Sequence, residues 1–174
     1  MINQPLVHLV TDEEVGGQAK EIFEQIKNKT GSVPKWMRVM ANCEDVLVGF
    51  FTLFKATMDD APLDSQLKWK IAYYVSELNK CEFCVSVSKM QLMGFGLAKN
   101  EVQNLEQTYT EREKIAIEYA QAATNHAYNI GSEIMKKVKS EFNDEELVEL
   151  TSVIGLFNFV NRFNDSLGVL PEIK

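Results

Sequence analysis

The sequence predicts an all-α protein, and three features carry that expectation. Helix-capping arrangements recur from end to end, apolar residues repeat at spacings of three and four, and the two-residue alternation of a half-buried strand is nowhere sustained. The 174 residues suit one domain, 1–174, and 45% apolar with 10% aromatic residues is enough material for a core.

Each helix has its own signals. Thr11 with Glu14 makes a capping-box pattern ahead of Val15, Ala19, Ile22, Phe23 and Ile26, and residues 28–31 stop that run at Gly31. Pro34 suits the first turn of a short helix carrying Trp36, Met37 and Met40. Val46, Leu47, Phe50, Phe51, Phe54 and Met58 form a broad apolar face, expected as core, that ends at residues 59–62. Leu63-Asp64-Ser65 opens the next helix, with Leu67, Ile71, Tyr74, Val75 and Leu78 in repeat. Asn79 is placed to cap a further helix with Glu82 at its third position, and Gly94 to stop it. Asn100 precedes a short helix with Val102 and Leu105, and Thr110 with Glu113 caps one carrying Ile115, Ala116, Tyr119, Ala120 and Ala123. Ser132 starts another, with Ile134, Met135 and Val138. Asn143 followed by Asp144, Glu145 and Glu146 heads the last, whose stripe is Leu147, Leu150, Ile154, Phe157, Val160, Phe163 and Leu167.

Composition narrows the function classes. The net charge of −7 is spread along the chain without a Lys/Arg cluster, so a nucleic-acid partner is not expected. No apolar run is long enough to span a bilayer and the N-terminus lacks a signal-peptide pattern, which predicts a cytoplasmic protein with no membrane partner. Three cysteines in such a chain fit a reducing compartment, where a disulfide is transient and chemical.

Two of those cysteines stand at Cys81 and Cys84 in Asn79-Lys80-Cys81-Glu82-Phe83-Cys84. Thiols three positions apart on a helix have Cβ atoms roughly 5–6 Å apart, close enough to bond with little backbone movement. A free thiol is only about 3% thiolate at pH 7, and a one-unit depression raises that to roughly a quarter. A helix N-terminus and Lys80 push the pKa down, while Glu82 pushes it up. The other reading of the pair is two small buried side chains. Zinc would need two more ligands from Cys43, His8, His126 or carboxylates, with no second Cys-x-x-Cys to supply them, so no metal and no cofactor are expected. Cys43 reads as a structural thiol, His126 as a residue late in its helix, and His8 carries no assigned role.

With these residues placed, the chain resembles the alkylhydroperoxidase AhpD and carboxymuconolactone decarboxylase family. The matching segments are residues 31–34 with Met37-Arg38, the Leu63-Asp64 helix start, Val75-Ser76 followed by the cysteine motif, Gly94, residues 142–146 and residues 158–164. The resemblance implies an all-helical AhpD-like fold, a homo-oligomer (trimer or hexamer), and reduction of a hydroperoxide by the cysteine pair. It makes Cys84 the thiol that attacks peroxide and Cys81 the one that resolves the sulfenic acid, with a thiol reductant protein or small dithiol restoring the pair. The family's proton relay has a Glu twelve residues before the first cysteine and a His four after the second. Those positions are Trp69 and Ser88 here, and a His seen in some members before the second cysteine is Phe83. Neither indole nor an unaided hydroxyl works as a base near neutral pH. Glu77, one turn before Cys81, is the nearest carboxylate that could substitute, with Tyr73 or Tyr74 as possible proton donors. The leading expectation is a thiol-dependent antioxidant oxidoreductase using Cys84, Cys81 and Glu77. The alternatives are a dithiol oxidoreductase or redox sensor with little peroxidase activity, and a carboxymuconolactone decarboxylase-type enzyme.

Overall fold

The computed structural model describes residues 4–59 and 62–171. Among these residues the protein is all-helical, with nine α-helices, two 3₁₀ turns and no strand. None of the described helices is long and apolar enough to cross a membrane. The chain groups into two compact units, one from residues up to 56 with those from 163 onward, the other from residues 57–162.

In the first unit lie α1 (Gly17–Thr30), α2 (Lys35–Met40) and most of α3 (Glu44–Met58). The capping box expected at Thr11 forms only by half. Glu14 accepts the Thr11 N–H at 2.9 Å, but residues 12–14 make a turn and the helix starts at Gly17. Its cap comes from a distant residue instead: the Glu44 carboxylate accepts N–H bonds from Gln18 at 2.6 Å and Ala19 at 3.3 Å. Gly17, at φ +55°, leaves that carboxylate room, since a Cβ there would collide with Glu44 Oε1. The core is Ala19, Ile22, Phe23, Met37, Val39, Met40, Leu47 and Phe50. Arg38 closes one side of it, bonded to Asp12 at 2.7 Å and Val10 O at 3.0 Å with its guanidinium over the Phe23 ring. The apolar face of α3 is wider than its neighbours cover. Leu47 and Phe50 are buried, whereas Val46, expected in the core, is exposed.

The second unit holds α4 (Ser65–Asn79), α5 (Glu82–Gly94), α6 (Lys99–Gln103), α7 (Glu111–His126), α8 (Ser132–Glu141) and residues 144–162 of α9 (Asp144–Leu167). Asp64 caps α4 by accepting the Leu67 N–H at 3.0 Å. The helix is then enclosed on most sides, with Leu67, Trp69, Ile71, Ala72, Val75 and Ser76 all buried. Enclosure extends to its lysines. Lys68 is fully buried, paired with Glu149 of α9 at 2.5 Å and donating to Asp59 O at 2.8 Å, while Glu149 also accepts the Leu63 N–H at 2.8 Å. Lys70 meets Glu113 at 2.7 Å.

The capping boxes at Thr110 and Glu113 and at Asn143 and Glu146 are complete in both directions. Glu146 also pairs with Arg112 at 2.7 Å, and that guanidinium stands 4.4 Å from the Phe142 ring centroid. Ser132 starts α8 as expected, with Gly131 at the cap position. By contrast, α6 begins at Lys99, one residue before Asn100, with Glu101 accepting the Ala98 N–H at 2.7 Å. Gly94 ends α5 as expected.

Candidate active site at the corner between α4 and α5

The corner is made by a non-glycine residue in a left-handed conformation. Lys80 has φ 60° and ψ 28°, its N–H bonds Glu77 O at 3.1 Å, and the Cys81 N–H reaches back to Ser76 O at 3.0 Å. This is a Schellman-type closure, and it turns the chain from α4 into α5 within two residues. Asn79 is consequently not the cap of α5. It is the last residue of α4, Cys81 is the cap, and Glu82 is the first helical residue rather than the third.

Asn79 has other partners. Its side-chain amide donates to Asn158 Oδ1 at 3.1 Å and Asn161 Oδ1 at 2.9 Å on α9. Asn161 donates to Ser76 Oγ at 3.0 Å, Ser76 Oγ donates to Ala72 O, and Asn158 donates to Thr124 Oγ1 on α7. Ser76 and Asn161 are fully buried, so the centre of this network, which ties the corner to α9 and α7, is shielded from water. The sequence placed Asn79 as a helix cap and Asn158 and Asn161 within a segment of family resemblance without linking them; amides recurring at Asn158, Asn161 and Asn164 within an apolar helix were the available signal.

Cys81 and Cys84 come together as the spacing predicts. Cys81 is 0% exposed and Cys84 3%, and their Sγ atoms lie 2.8 Å apart, longer than the roughly 2.05 Å of a disulfide bond. Cys81 has extended ψ and stands just outside the helix, whereas Cys84 sits in the first turn, where backbone N–H groups favour negative charge.

Glu77 lies on the last turn of α4 and is half-exposed, with Lys89 Nζ of α5 at 3.9 Å. Tyr73, one turn earlier, has its hydroxyl pKa pushed up to about 12, first by burial and then by its hydrogen bond to Glu77 and that carboxylate's charge. Lys89 also stands over the Tyr73 ring at 5.5 Å, so Tyr73, Glu77 and Lys89 form one polar cluster bridging the two helices. Burial raises the Tyr74 hydroxyl as well.

Trp69 is buried edge-on against Phe157, with centroids 5.8 Å apart. Ser88 is fully buried one turn beyond Cys84, and its Oγ has no hydrogen-bond partner among the described residues. Phe83 is buried. Away from the corner, Cys43 is exposed, contrary to its expected structural role. His126 is the last residue of α7, edge-on to Tyr128, and His8 bonds Glu14 at 2.7 Å. No group of three or more His, Cys, Asp or Glu among the described residues is arranged to hold a metal.

The helical architecture is the AhpD-like fold. It superimposes on an alkylhydroperoxidase AhpD core, an uncharacterised peroxidase-related protein of Ralstonia eutropha JMP134, with a TM-score of 0.86 at 18% identity over 97% of this chain and 92% of that one. An uncharacterised peroxidase-related protein of Silicibacter sp. TM1040 gives 0.82 at 21% identity over 98% and 91%. The debrominase Bmp8, as a cysteine-to-alanine variant in complex with 2,3,4-tribromopyrrole, gives 0.85 at 22% identity over 98% and 93%. At these identities the fold is what is shared. In sequence, the chain is 27% identical over 114 residues to the uncharacterised protein YnjA of Escherichia coli (strain K12), a stretch spanning 63% of this chain and 63% of that relative's length. No protein-family model matches the sequence.

Proposed function

We propose that this chain is a thiol-dependent oxidoreductase that reduces a hydroperoxide through Cys84 and Cys81. The observation that carries the reading is the buried 2.8 Å approach of the two sulfurs at the start of α5. Cys84 thiolate attacks the terminal peroxide oxygen, the O–O bond breaks, and the leaving alkoxide takes a proton to give an alcohol and Cys84 sulfenic acid. The Cys81 thiol then displaces water, closing the Cys81–Cys84 disulfide, and a dithiol reductant returns two electrons and two protons. Cys84 is the attacking thiol because it lies inside the first turn. Tyr73 supplies the proton and the Glu77 carboxylate, as acceptor of its hydrogen bond, orients it, since Tyr73 stays protonated far above neutral pH. The unpartnered Ser88 hydroxyl binds the sulfenic oxygen or a water in its place.

The test treats reduced protein with one equivalent of hydroperoxide and follows intact mass and linkage. A loss of two hydrogens mapped to Cys81–Cys84 is expected; failure to form that linkage overturns the reading. Cys81→Ser should stall at the sulfenic acid, and Cys84→Ser should abolish peroxide consumption.

A second reading, a dithiol oxidoreductase or redox sensor with little peroxidase activity, is favoured by Trp69 packed against Phe157, where a carboxylate would serve proton transfer. Positioned proton transfer is worth roughly 10²–10⁴ in rate, so this reading predicts disulfide exchange with slow peroxide turnover. Because a Bmp8 structure with the same fold holds a bromopyrrole, a carbon–halogen bond belongs beside peroxides among the two-electron acceptors assayed.

A further inference from the structure

Along its solvent side, α9 carries Glu145, Val148, Ser152, Gly155, Phe159 and Arg162, at successive spacings of three, four, three, four and three. That is the repeat by which one helix seats against another, and it extends for about 25 Å. Val148 is 68% and Phe159 48% exposed, unusual for large apolar side chains placed in register on one face. The centre of the row is small. A Cβ at Gly155 would meet nothing within 4 Å, and the Ser152 hydroxyl is turned inward to Val148 O at 2.8 Å, so a backbone approaching here would leave no polar group unmet.

The ends of the row carry charges without opposite charges. Asp144 pairs with Lys139, Glu146 with Arg112 and Glu149 with Lys68, but Glu145 has no cation among the described residues. Arg162 bonds only to the backbone and side-chain oxygens of Asn158, at 2.8 and 2.6 Å, and meets no carboxylate among the described residues.

We propose that this face docks against the same face of a second copy, antiparallel, about a two-fold axis passing between Val153 and Ile154. In that register Glu145 meets the partner's Arg162, Val148 meets the partner's Phe159, and Ser152 meets the partner's Gly155. Charge, size and close approach are satisfied together. A parallel pairing would instead set Glu145 against the partner's Glu145 and Phe159 against the partner's Phe159. The self-complementarity is what selects a second copy over an unrelated protein. A two-fold contact is compatible with a dimer or hexamer and incompatible with a trimer, and it stands independently of the redox chemistry.

Light scattering after size exclusion, across micromolar to hundred-micromolar protein, tests it. An even-numbered assembly is expected. Glu145→Arg alone or Arg162→Glu alone should halve its mass, and the double reversal should restore it, because like charges face each other in the singles and opposite charges in the double. Gly155→Arg should also halve it. All these positions are at the surface, and circular dichroism matching the parent confirms folding. A monomer at every concentration, an odd-numbered assembly, or a mass that no variant changes overturns the proposal.

Discussion

Ser88 shows how a single atom carries information that residue type does not. Thr30, Thr52, Ser76, Thr151 and Ser152 each turn their hydroxyl back to the carbonyl one turn earlier, at 2.7–2.9 Å. Ser88 is fully buried and makes no such bond. An unmet buried hydroxyl costs about 1–3 kcal/mol. Ser88→Ala is therefore expected to leave stability unchanged or raise it by up to about 2 kcal/mol in urea denaturation while slowing Cys84 oxidation, whereas a structural hydroxyl would give the reverse. In the sequence Ser88 was visible only as the residue in a histidine's place, since a side chain's rotamer and partners depend on the surrounding packing. Tyr73 was visible as a possible donor, but its burial was not. Its raised pKa means the fold favours the protonated phenol, so the stability it contributes is complete below its ordinary value of 10 and is lost as pH rises through about 12. Glu77→Gln removes a hydrogen bond and a charge that both push the value up; a tyrosinate absorbance titration should show the Tyr73 midpoint falling, with Tyr73→Phe identifying the signal.

At the level of the helix, local capping signals were legible and remote ones were not. Thr110 with Glu113 and Asn143 with Glu146 lie three residues apart, so the pattern contains both partners. Glu44 caps a helix that begins at Gly17, and nothing near Gly17 announces it. The corner at Lys80 was missed because a lysine in left-handed conformation is held by the closure around it, whose bonds to Ser76 and Glu77 belong to the backbone of any sequence. That conformation costs a non-glycine residue roughly 1–2 kcal/mol. Lys80→Gly should accordingly stabilise the protein by about 1 kcal/mol net of the added backbone freedom of the unfolded chain, read as a higher denaturant midpoint. Helix ends also set the acid response. Arg112 beside Glu146 and the Asn143 N–H hold its carboxyl below the ordinary 4.5, so the folded state binds its proton less readily than the unfolded chain. The resulting stability is present above pH 4.5 and is lost as pH falls below it, and Glu146→Gln should flatten that part of the melting-temperature profile.

For the molecule as a whole, the order of helices was readable because apolar repeats at three and four persist whatever surrounds them. The burial of charge was not readable. Lysines ordinarily stay at the surface, but α4 is enclosed on most sides, and Lys68 and Lys70 each meet there a glutamate brought from far along the chain. Among the described residues, Glu149→Ala would leave the fully buried Lys68 ammonium with the Asp59 carbonyl alone and the Leu63 N–H without its acceptor. A loss of about 3–5 kcal/mol in denaturation free energy is expected, and far less when Lys68 is simultaneously replaced by Met.

The depth of the sulfur pair has a kinetic consequence. In the proposed redox cycle a reductant would have to bring a thiolate into line with a Cys81–Cys84 bond, and neither cysteine offers more than 3% of its surface. Re-reduction then depends on transient opening of the first turn of α5, so its observed rate should climb with dithiol concentration and level off at the frequency with which that turn breathes. Small dithiols should reach this ceiling sooner than a folded protein partner. Amide hydrogen exchange at Phe83 and Cys84 gives an independent measure of the same opening.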